Sequence, residues 1–168
     1  MGQLPSSSIH LEDADHPKVP CSFNRPKSGQ LTMAQLFDIT ELLVASWALA
    51  GKGDGIPTSH GILDRALNEA VQHDSCPQWV RDSLHFVDSR IGLQCVELPS
   101  LLDWAQRAQL TSAPNPSCQS AQVQISPLAA QQLLRQLNVS VEDAKLWGDH
   151  IHALVEQGSN SVSANSGV

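Results

Sequence analysis

The chain has 168 residues with ten Lys and Arg against seventeen Asp and Glu, giving a net charge of −7. That length suits one domain, or a domain with a small appendage. The acidic balance removes the counterion-release term behind most nucleic-acid affinity.

The start, "MGQLPSSSIHLEDADHP", has neither a basic leader nor an apolar core, so it does not read as a signal peptide. Its Met-Gly-x-x-x-Ser pattern fits an acylation site by letters alone, with no basic residues beside it. Without a secretion signal, the four cysteines read as reduced thiols of a cytoplasmic protein. Residues 1–29 are predicted as a disordered arm, with Phe23 as its one docking candidate.

The run Leu31–Ala50 is the strongest helix signal: fourteen of its twenty residues are apolar. Gln35, Asp38 and Glu41 form one narrow polar stripe on it. Such a helix sits in the middle of a bundle or lends part of its surface to an interface. Asp38 and Glu41 interrupt the run, so no membrane span is expected.

"GKGDGIPTSHG", Gly51 to Gly61, follows. It lacks the order of a phosphate loop, a dinucleotide fingerprint or a calcium loop. It is expected to be a connector whose Lys52 and Asp54 can meet a partner, with Thr58 or Ser59 capping the next helix. "HGILDRALNEAVQH" then reads as an amphipathic helix. "PQWVRDSLHFVDSRIG" reads as another, with Trp79, Val80, Leu84, Val87 and Ile91 on one face and Gly92 as its stop. "LQCVELP" is extended, and "PSLLDWAQRAQL" returns to helix with Leu101, Trp104, Ala105 and Ala108 inward.

Residues 111–125 are predicted as a linker. Two helices close the chain, one capped by Ser126 with Pro127 in its first turn, the other running from Ser140 to Gly158. "LLRQLNVSVEDAKLW" resembles a helix-turn-helix, with Ala144 and Trp147 at the inward positions. The resemblance would imply DNA binding, but Glu142, Asp143 and Asp149 face phosphate with only Lys145 to offset them. The pair is therefore expected to be a helical hairpin, with Leu146 available to a partner.

The whole is predicted to be mainly α: a multi-helix bundle of about six helices. The bundle spans 30–110, the hairpin spans 126–158 packed on or beside it, and 159–168 form a disordered tail. No activated nucleophile is legible, so no catalytic residue and no cofactor are assigned. His73 and Cys76 have metal-pair spacing. Asp149, His152 and Glu156 share a helix face, which is half of a carboxylate–histidine metal site. The function expected is a non-catalytic adaptor, regulator or assembly factor that binds another protein or itself. A metal-binding helical protein or enzyme, and a helix-turn-helix regulator, are the alternatives.

Overall fold

The computed structural model describes residues 31–51, 55–59, 61–117 and 119–164. The arm over 1–29, Lys52 and Asp54 lie outside the described residues, as does the tail beyond 164. In chain order come α1 (Met33–Ala50), β1 (Ile56–Pro57), α2 (Ile62–Ala70), α3 (Gln78–Arg81), β2 (Phe86–Ser89) and β3 (Gly92–Cys95). There follow α4 (Leu98–Arg107), β4 (Thr111–Pro114), β5 (Ser120–Val123), α5 (Pro127–Gln136) and α6 (Val141–Ala164). The described residues thus form six helices and two antiparallel sheets, which overturns the expectation of a purely helical bundle.

The helix count nevertheless rests on legible local signals. Thr32 caps α1 by accepting the Gln35 N–H at 3.2 Å, and the Gln35 side chain returns a bond to the Thr32 N–H. Gly51 ends the helix in the left-handed region, at φ +69°. Ile39 through Trp47 are all buried, because α4, α5 and α6 pack against α1 from different sides. A run of nine buried residues occupies the whole circumference of a helix, so α1 is the axis of the core. It is also long and apolar enough to cross a membrane, and half of it is buried inside the fold.

α6 crosses α1 at close range. A Cβ added to Gly148 would land on the Ser46 carbonyl oxygen and lie 2.6 Å from its carbon. The missing side chain is what lets the two backbones approach. Trp147, beside it, donates its indole N–H to the Ala70 carbonyl at 3.0 Å and so ties α6 to the end of α2. Asn138 takes the left-handed turn between α5 and α6 at φ +54°, a conformation asparagine tolerates. α6 does not stop at Gly158 but continues to Ala164. Glycine weakens a helix without ending it when no left-handed backbone is required.

The strands lie where helix or linker is expected. "FVDSRIGLQC" folds into the β2–β3 hairpin, with Phe86 opposite Cys95 and Val87 opposite Gln94. Gly92 is not a helix stop but the turn residue, at φ +108°, and its carbonyl accepts the Ser89 hydroxyl at 2.8 Å. The predicted helix shrinks to the four residues of α3, since the spacing of Val87 and Ile91 also fits one exposed hairpin face. Residues 111–125 supply β4 and β5, and Asn115 Oδ1 holds their turn by accepting the Gln119 N–H at 2.8 Å.

The second sheet has the order β1-β5-β4, with β5 central. Thr58 donates its N–H to the Gln119 carbonyl at 2.8 Å. Bonding alternates along an antiparallel strand, so Pro57, which has no N–H, falls on the outward-facing position. The cap of α2 is also not the one expected. Gly61, at φ +89°, precedes the helix, and its N–H is held by the Asp64 carboxylate at 2.9 Å.

Candidate functional site: a groove beside the β2–β3 hairpin

Between the β1 segment, the β2–β3 hairpin and α4 lies a pocket of about 290 Å³. Its walls include Pro57, Val87, Val96, Leu98 and Leu102, and among the described residues Asp64 is the carboxyl group in its lining. Hairpin register explains the placement. His85 and Val96 are a bonded pair, joined by the Val96 N–H to the His85 carbonyl at 2.9 Å. Val87 and Gln94 are the next pair, so these side chains share the face away from buried Cys95. Val87 is 46% exposed, Val96 53%, and Ile91 at the hairpin tip 72%. Val87 and Val96 therefore give the pocket an exposed apolar rim, and Ile91 stands apart from it at the tip of the hairpin.

Beneath the rim is a polar floor. Asp64, only 5% exposed, accepts the Gly61 N–H through one oxygen and the Cys95 N–H through the other, at 2.9 and 2.8 Å. Glu97, also buried, accepts the His85 backbone N–H at 2.8 Å and lies 2.8 Å from His85 Nδ1. A carboxylate only accepts, so His85 Nδ1 is the donor in that contact. The Cys95 thiol donates to Glu97 at 3.7 Å. Burial pushes that thiol up to about 12, and the charges of Glu97 and Asp64 add to the effect. Cys76 is pushed up to about 11 by burial, partly opposed by Arg81. Neither thiol is an activated nucleophile.

A larger cleft, about 480 Å³, lies between α3 and the α5–α6 turn. Asp74, Arg81, Asn138 and Asp143 are among its lining residues, so it offers a polar surface rather than an apolar seat.

The residues singled out in the sequence scatter. His73 lies with its Nδ1 2.7 Å from the Ser75 hydroxyl, and its ring meets His150 at a centroid distance of 4.5 Å. Cys76 is buried and its thiol donates to the Pro77 carbonyl at 3.7 Å. Asp149 pairs with Lys145 at 3.0 Å on the surface of α6. His152 is buried against Trp47, with ring centroids 3.7 Å apart. Glu156 is exposed near the end of α6. Among the described residues no group of three or more His, Cys, Asp or Glu side chains is placed to share one ion. Leu146 is 55% exposed, away from the groove on the outer face of α6. Asp64, His85, Val87, Val96 and Glu97 were not singled out. For Val87, Val96 and Glu97 the signal was the alternation of "FVDS" and "LQCVE" around Gly92, its first half hidden by a helical spacing that fitted as well; Asp64 and His85 lie outside those strings.

The chain matches no protein-family model, and neither the curated proteins nor the solved structures contain a significant match.

Proposed function

We propose that this chain is a non-catalytic intracellular adaptor, regulator or assembly factor that works by protein–protein contact. Its docking site is the groove between β1, the β2–β3 hairpin and α4. The observation that carries this reading is the apolar rim: Val87 and Val96 stand in solvent and line an apolar recess, with Ile91 exposed at the tip of the same hairpin. Exposed apolar groups that adjoin a recess are a usual mark of an interaction surface. The apolar surface of α1 no longer argues for an interface, because its central nine residues are covered by the chain itself.

The test is a paired retention experiment from native lysate with wild type and a Val87→Asp, Val96→Asp variant of matched thermal stability. Retention of a defined protein by the wild type and its loss in the variant is the expected result. A second copy of the chain is the same reading with a self-partner, read as a concentration-dependent mass in light scattering. Identical retention by both proteins, with both monomeric, sinks the proposal.

A further inference from the structure

We infer that the groove receives a cationic side chain, an arginine flanked by apolar residues, with its aliphatic stem on the walls and its guanidinium at Asp64. This rests on the groove being the docking site and specifies what enters it. Each Asp64 oxygen already holds one backbone N–H and keeps a second acceptor position. Among the described residues no lysine or arginine pairs with it. Arg65, its sequence neighbour, turns Nε to the Gly61 carbonyl at 2.9 Å instead. Glu97, on the adjoining chain segment, is likewise buried, and its partners among the described residues are His85 and the Cys95 thiol. Among the described residues, the buried Asp64 carboxylate in the groove lining thus has two backbone N–H partners and no lysine or arginine bonded to it. Buried charge of one sign is costly until a counter-charge arrives.

A wholly apolar anchor would increase that cost by removing the remaining water from Asp64. An amphipathic cation fits both halves of the site. Its stem covers Leu98 and Leu102, and its planar fork matches the two open acceptor positions of one carboxylate. The net charge of −7 favours the same partner at longer range.

The experiment titrates the ¹⁵N-labelled full chain with acetyl-Leu-Arg-Leu-amide and with the citrulline peptide, which keeps the shape and removes the charge. The arginine peptide is expected to move the amide signals of Gly61 and Gln94–Val96. It should bind about tenfold more tightly than the citrulline peptide, a difference of one good ion pair. Asp64→Asn should erase the preference. Because Asp64 also holds two backbone N–H groups, the comparison of peptides on the wild type is decisive if that variant fails to fold. Equal affinity for the two peptides overturns the inference while leaving the groove as an apolar docking site. No shift in the groove with either peptide overturns it as well, and the lysate experiment then decides separately whether the groove docks anything.

Discussion

Gly148 and Gly158 sit in one helix and have opposite jobs. At Gly148 a methyl group collides with the Ser46 backbone, which cannot step aside without parting α1 from α6. Gly148→Ala is expected to cost about 1–3 kcal/mol, as overpacking of a core does. At Gly158 a methyl group meets only Ile62 Cγ2 at an ordinary 3.8 Å. Gly158→Ala is expected to stabilise by about 0.5–1 kcal/mol through backbone entropy. Thermal denaturation of the two variants should move in opposite directions, and a shared direction would contradict the crossing geometry. Cys76 and Cys95 give a second expectation. In a chain with Cys21 and Cys118 replaced by Ser, a thiol reagent at pH 8 should leave both unmodified when folded and label both in denaturant. Neither role could be read from letters alone. The two glycines look identical until a neighbouring helix is brought to one of them.

The pairing of α2 with α6 carries a pH dependence. Burial lowers the affinity of His150 for a proton, the adjacent His73 lowers it further, and Glu69 partly opposes both. The unfolded chain, with an ordinary value of 6.5, therefore takes up its proton first as pH falls. Stability is fully present above about 6.5, declines as pH falls through that value, and flattens below the folded-state value. Urea unfolding at pH 7.5 and 5.5 should show this decline, and His150→Gln should reduce it. If wild type and variant lose stability equally, the loss lies with other groups. Helix signals at this scale were legible because they are local: the Thr32 capping box and the Ser126 cap with Pro127 at the first turn are written within four residues. The β2–β3 hairpin was not, because apolar spacing in "WVRDSLHFVDSRIG" satisfies a helix until Asp64 and Glu97 claim its backbone. Those two partners come from other elements, and no local window contains them.

Across the whole molecule the sequence left α1 two places, the middle of a bundle or an interface, and its nine buried residues put it in the middle. It missed the three-stranded sheet for a physical reason. β1 is two residues long and pairs with β5, sixty-odd residues away, so its existence depends entirely on tertiary contact. The residues of the metal readings meet neighbours of the same distant kind, His73 meeting His150 and His152 meeting Trp47. Helix-face arithmetic cannot anticipate which neighbour occupies a face.

The central position of α1 also sets a schedule. Ile39–Trp47 is covered by α4, α5 and α6, and Gly148, Ile151 and His152 of α6 are synthesised about a hundred residues after Trp47. At ribosomal rates that interval is about 5–20 s, during which α1 has no cover from its final neighbour. Part of the cover of α1 is therefore missing for seconds after the helix is made, until α6 has been synthesised.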